Sequence, residues 1–103
     1  MKKEYEFWVY IVTNPKRTSV YIGVTNDLGR RLKEHFDNRG TQESYAGRYY
    51  CYDLVYYEKF EYTDKAIARE KQLKGWSRKK KNFLIERENP NWLSLNKNFE
   101  YEE

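Results

Sequence analysis

The chain has 103 residues, enough for one domain with a compact core and too few for two. Charged residues make up 35% and aromatics 18%, and 20 Lys and Arg against 16 Asp and Glu give a formal charge of +4. A single cysteine, Cys51, excludes an intramolecular disulfide or a cysteine zinc site. No stretch approaches the ~20 apolar residues of a membrane span. Glu4 and Glu6 interrupt any signal-peptide pattern at the start. The expected setting is soluble, reducing and cytoplasmic.

Residues 7–12 are β-branched and aromatic throughout and predict a strand. Asn14-Pro15 punctuates a turn, and residues 19–24 predict a second strand that forms an antiparallel hairpin with the first. Thr25-Asn26-Asp27 supplies helix-capping chemistry. The helix that follows runs to about Phe36, with Leu28, Leu32 and Phe36 as its apolar stripe. Residues 37–51 are expected to be a long loop, and Tyr52 to Glu58 a third strand. Thr63 or Asp64 caps a helix through Lys74 that Gly75 ends. Ser77 caps a last helix that stops near Glu88, before Asn89-Pro90. The order β-β-α-β-α-α predicts an α+β domain with a three-stranded antiparallel sheet flanked by helices, spanning residues 1–96. An acidic, flexible tail is expected at 97–103.

Some residues are not accounted for by this pattern. With the turn centred between Pro15 and Lys16, Tyr10 faces Tyr21 and Trp8 faces Gly23; a two-residue shift keeps both tyrosines on one face. Two phenols beside a glycine make an open polar platform, although a cross-strand aromatic pair also stabilises a sheet by itself. Arg31 and His35 stand four residues apart on one side of the first helix, bordering its apolar stripe. Glu70 lies between Ala66 and Leu73 on one side and Ile67 on the other, which places it near the middle of its helix's inward face. A carboxylate there needs a metal ion or a guanidinium, and Arg31 is one candidate. Residues 65–87 hold nine basic side chains against Glu70 and Glu86. A segment of this sign beside a cleft is the footprint of a polyanion, and also the pattern of a solvated helix face.

Val9-Tyr10-Ile11 followed by Tyr21-Ile22-Gly23 resembles the paired signature of GIY-YIG endonucleases. The eleven-residue spacing of the tyrosines, the eight-residue step from Gly23 to Arg31, His35 one turn later and Glu70 all follow in that order. The run from Ala66 to Lys81 and the later Asn89-Pro90-Asn91-Trp92 are similar to small stand-alone bacterial members, related to the nuclease domain of excinuclease ABC. Trp8 stands where the family name has its first Gly. The resemblance implies a GIY-YIG fold and DNA phosphodiester hydrolysis by a one-metal mechanism, with a place in DNA repair. It implies that Glu70 holds Mg²⁺ (or Mn²⁺) and that Arg31 clamps the scissile phosphate. Tyr10 would be the general base, supported by Tyr21 and His35. The family's C-terminal Asn falls at Asn89, with Asn82 as the other position. Lys74, Trp76, Arg78, Lys79, Lys80 and Lys81 would contact backbone phosphates of a branched or structured DNA, delivered by a homodimer or a partner protein. The alternatives are a nucleic-acid-binding module that cuts poorly or needs a partner, and an interaction protein whose polar cluster is structural.

Overall fold

The structure, a computed structural model, describes residues 6–99. Strands β1 (Phe7–Thr13) and β2 (Val20–Thr25) lead into helix α1 (Leu28–Asp37) and a short helix α2 (Tyr45–Arg48). Strand β3 (Asp53–Phe60), helices α3 (Thr63–Lys74) and α4 (Arg78–Glu88) and a 3₁₀ turn (Asn96–Phe99) complete the chain. The sheet is antiparallel in the order β2-β1-β3, so the domain is α+β with a three-stranded antiparallel sheet.

β1 is central, and both of its faces are covered. Val9 and Ile11 pack with Ile22, Ala66, Leu73 and Ile85 under α3 and α4. Tyr10 and Val12 pack with Leu28, Leu32 and Leu54 under α1. Burial on both sides is why the strand is an unbroken apolar run rather than an alternating one. Opposite β3 the register slips between Ile11 and Val12, which leaves Val55 as the extra residue of a bulge.

The hairpin register differs from the expected one by two residues. Tyr10 pairs with Gly23, Val12 with Tyr21 and Trp8 with Thr25. The cause is the loop. The Asn14 side-chain oxygen accepts from the backbone N–H groups of Thr18 (2.8 Å) and Ser19 (2.9 Å), and Arg17 takes φ +60°. This closes a wider turn than Asn-Pro alone suggests. Both tyrosines remain on the same face of the sheet.

Asp27 caps α1 through Arg30 N–H and Ser77 caps α4 through Lys80 N–H, as the sequence indicates. At α3 the cap position is Tyr62, one residue before Thr63, with no side-chain cap bond. The expected long loop contains α2, capped by Ser44 through Gly47 N–H. A Cβ at Gly47 would sit 2.4 Å from Thr41 Oγ1 and 2.9 Å from the Asn38 carbonyl, so only glycine lets this segment fold onto the end of α1. The ordered fold continues past residue 96: Phe99 packs edge-on against Trp8 and Tyr57. Asn96 accepts from Leu54 N–H (2.6 Å) and donates to the Tyr52 carbonyl (2.9 Å), covering part of the outer edge of β3. Residues 100–103 lie outside the described residues.

Candidate active site

The site is built where β1, β2 and α1 meet. The Tyr10 phenol lies across Gly23: a Cβ there would be 2.4 Å from Tyr10 Oη and 2.5 Å from its Cζ. The glycine is therefore a steric requirement of the tyrosine beside it. Leu28 and Leu32 anchor α1 on this face, and the same helix surface brings His35 under the sheet, 6% exposed.

Tyr10 Oη and His35 Nε2 are 2.8 Å apart. Burial, reinforced by the Arg31 charge, pushes His35 down to about 4, so the imidazole is neutral near pH 7. The Tyr10–His35 contact takes either direction with the tautomer: the Tyr10 O–H donates to Nε2, or Nε2–H donates to the Tyr10 oxygen. Burial raises Tyr10 to about 12, against a smaller lowering by Arg31. Burial acts to lower Arg31, but the Glu34 carboxylate and the nearby Tyr10 oxygen prevail and hold it above its usual value. The Glu34 contact is 2.9 Å. Arg31 is thus a permanent cation, held by Glu34, with its side chain 37% exposed.

Tyr10 is 1% exposed and Tyr21 is half-buried. Tyr21, not Tyr10, lines a cavity of about 300 Å³ together with Arg31 and His35. Its ring meets His35 edge-on at 5.6 Å. The other wall is Asn38, Thr41, Glu43, Ser44, Ala46 and Gly47. Sequence reasoning missed this wall. The only local signal is the Ser44–Gly47 capping pair, which marks α2 but not the direction in which it folds.

Glu70 is on the border of the inward face of α3, not at its middle. Ala66 and Leu73 are fully buried, while Ile67 on the other side is 40% exposed. The Glu70 side chain is 14% exposed and pairs with Lys74 Nζ at 2.7 Å. Arg31 pairs with Glu34, so the structure contains no Arg31–Glu70 pair. Lys74 Nζ lies 5.8 Å from the centroid of the Tyr21 ring, which brings the Glu70–Lys74 pair to the side of the cleft. Among the described residues no group of three or more His, Cys, Asp or Glu could hold a metal ion. Of the expected ligands only Glu70 is a carboxylate, so a cation there would have one protein oxygen ligand group, with substrate oxygens and water completing its shell.

The remaining expected site residues are dispersed. Asn89 is 8% exposed and caps the end of α4. Its amide donates to the carbonyls of Val55 (3.1 Å) and Leu93 (2.9 Å) and its oxygen accepts from Leu93 N–H (3.0 Å). It ties α4 to β3 and is not among the residues that line the cavity of Tyr21, Arg31 and His35. Asn82 accepts from Arg78 Nε. Arg78 also donates to the Thr18 carbonyl at 2.9 Å, fastening α4 to the hairpin loop. Trp76 packs against the apolar core between the Arg69 and Lys80 cations. Lys79 and Lys80 are exposed and Lys81 is half-buried. The basic run is therefore split between the cleft side (Lys74) and the outside of α4.

No helix of the described residues is long and apolar enough to cross a membrane. Relatives are similar in sequence over much of the chain. A UPF0213 protein of Bacillus pumilus is 40% identical over 68 residues, 66% of this chain and 67% of its own. A UPF0213 protein of Haloquadratum walsbyi is 37% identical over 79 residues, 77% of this chain and 85% of its own. The solution structure of the UPF0213 protein BH0048 from Bacillus halodurans superposes with a TM-score of 0.54 at 30% identity, covering 84% of this chain and 89% of that one. The family model described as the GIY-YIG catalytic domain matches residues 6–82, a span that contains Tyr10, Tyr21, Gly23, Arg31, His35 and Glu70. The chain belongs to the GIY-YIG family.

Proposed function

We propose that this protein is an endonuclease that hydrolyses DNA phosphodiester bonds in the Tyr21–Arg31–His35 cleft, with one divalent cation. The observation that carries the reading is Arg31. It is a cation held by Glu34 at 2.9 Å, at an open cavity that Tyr21 and His35 also line, beside a buried tyrosine–histidine pair. Family membership supports the reaction class.

A phosphodiester in the cleft would meet the Arg31 guanidinium, whose fork suits two phosphate oxygens and opposes the charge that develops on them. Binding phosphate would draw Arg31 from Glu34. The exposures support the opposite assignment of roles to the two tyrosines from the one the resemblance implies. Tyr21 meets the cleft and would orient the attacking water through its phenol oxygen. Tyr10 is covered and acts as a positioning residue, hydrogen-bonded to neutral His35. Glu70 is the carboxylate that would hold Mg²⁺ (or Mn²⁺), and Lys74 is its partner when no metal is bound. The cation supplies Lewis-acid stabilisation of the phosphoryl charge. The exposed lysines of α4 would add weak backbone contacts with a steep salt dependence.

The test is cleavage of labelled single-stranded, duplex, flap and branched DNAs with Mg²⁺, Mn²⁺ or EDTA, for wild type, Arg31→Ala and Glu70→Ala. Metal-dependent cutting that both substitutions abolish, in folded variants, is the expected result. A second reading, a nucleic-acid-binding module without cleavage, is favoured by the Glu70–Lys74 pair, because that carboxylate already has a cation. Salt-sensitive binding with no cutting of any substrate would select it.

A further inference from the structure

The rings beside the cleft form a series that neither the core nor the Arg31 cluster explains. Tyr21 lines the cavity. The Tyr45 ring stacks on it at 6.4 Å and 24°, and the Tyr49 ring follows at 4.7 Å and 45°. Tyr45 is 49% exposed and Tyr49 44% exposed. The backbone beneath them is fixed. Ser44 caps α2, Gly40 N–H donates to the Gly47 carbonyl at 2.8 Å, and Cys51 N–H donates to the Ala46 carbonyl at 2.8 Å. A rigid four-residue helix that turns two large rings outward, in line with a catalytic cleft, holds π-faces available to a ligand.

We infer that Tyr45 and Tyr49 form a nucleobase subsite, on which an unpaired base next to the scissile phosphate stacks. The inference rests on the nuclease reading and adds a substrate requirement: the strand is unpaired on the α2 side of the cut. A base within a duplex has both faces covered by its neighbours and cannot offer one to a tyrosine without leaving the stack. An unpaired base can, and such stacking tolerates any base because each has a π-face. The surroundings suit a strand more than a protein partner. The series begins at Tyr21 inside the cleft, where the backbone must pass, and a protein seated there would close the cavity. Arg48, on the same short helix and exposed, adds a cation for the next phosphate. Tyr rather than Leu or Phe at these positions also fits a face that is wet when empty.

The experiment uses the full chain. Binding of a labelled oligothymidylate and of a blunt duplex of equal length is measured in EDTA by fluorescence anisotropy, for wild type, Tyr45→Leu, Tyr49→Leu and Tyr45→Phe. Cleavage of single-stranded, flap and duplex DNA with Mg²⁺ is measured in parallel, and thermal midpoints check folding. Each Leu variant should weaken oligothymidylate binding by about 5- to 100-fold, the range of one lost base–aromatic stack. Tyr45→Phe should bind like wild type, and duplex binding should not change. Cleavage at flaps or single strands should fall for the Leu variants. If wild type cuts DNA and the Leu variants bind and cut single strands as well as it does, the subsite is wrong and the nuclease reading stands. If wild type cuts only blunt duplex, the subsite is again wrong. If wild type neither binds nor cuts any DNA, the nuclease reading fails and the subsite fails with it.

Discussion

Replacing Gly23 with alanine should destabilise the fold and abolish activity, through one contact. The new Cβ would lie 2.4 Å from Tyr10 Oη, 2.5 Å from Cζ and 2.9 Å from Cε1. Two effects oppose each other. Glycine to alanine in a strand lowers the entropy of the unfolded chain and stabilises by about 0.4–1 kcal/mol where there is room. Here there is none. Tyr10 is 1% exposed and held at Oη by His35 at 2.8 Å, so its ring cannot swing into solvent. Overpacking of this kind costs about 1–3 kcal/mol, and displacing the phenol forfeits a buried hydrogen bond worth roughly 1 kcal/mol. The net loss should be about 2 kcal/mol, a fall in Tm of roughly 10 °C for a domain of this size. Urea unfolding followed by circular dichroism measures it. The double variant with Tyr10→Leu, which removes the colliding ring, should lose less than the sum of the two single variants. A Gly23→Ala protein within about 0.5 kcal/mol of wild type, or strict additivity in the double variant, would refute the steric argument.

Four further outcomes are expected. His35 has a folded pKa of about 4 against 6.5 when free, so the unfolded chain binds its proton first as pH falls. Its contribution to stability is complete above pH 6.5 and is lost toward pH 4, by at most about 3 kcal/mol. Urea midpoints across pH 4–7.5 should show this slope, and His35→Asn should flatten it. Tyr10→Phe should lower stability by about 1–3 kcal/mol, because it leaves buried His35 Nε2 without its hydrogen-bond partner, whereas Tyr21→Phe should lower activity with little change in stability. Equal effects of the two on unfolding would contradict the exposure argument. Glu70→Ala should cost no more than about 1 kcal/mol, since its Lys74 partner is half-exposed and the pair is a single helical turn; a loss of several kcal/mol would mark a buried ion pair instead. Asn89→Ala should destabilise by about 1–3 kcal/mol through its three backbone bonds and leave the activity per folded molecule unchanged.

Much of this architecture depends on local chemistry and was readable from the chain. The apolar run of β1, the Asp27 and Ser77 caps and the stop at Gly75 each follow from residue type over a few positions. So did the gathering of Tyr10, Tyr21, Arg31 and His35. Alternation places the tyrosines on one face whatever the even-numbered shift, and a spacing of four sets Arg31 and His35 on one side of α1. The choices that needed the tertiary structure involve distant partners. The register depended on Asn14 closing a wide loop. Glu70 depended on whether α3 offered it Lys74 or α1 offered it Arg31. Asn89 has the composition of a site residue, but the position of β3 makes it a cap. Tyr10 is on the central strand and covered by α1, whereas Tyr21 is on the edge strand β2, facing the cavity wall from Asn38 to Gly47. Periodicity reports the face a residue occupies on its own element. It carries no information about what another element, dozens of residues away, lays over that face, and here that covering decides which phenol water can reach.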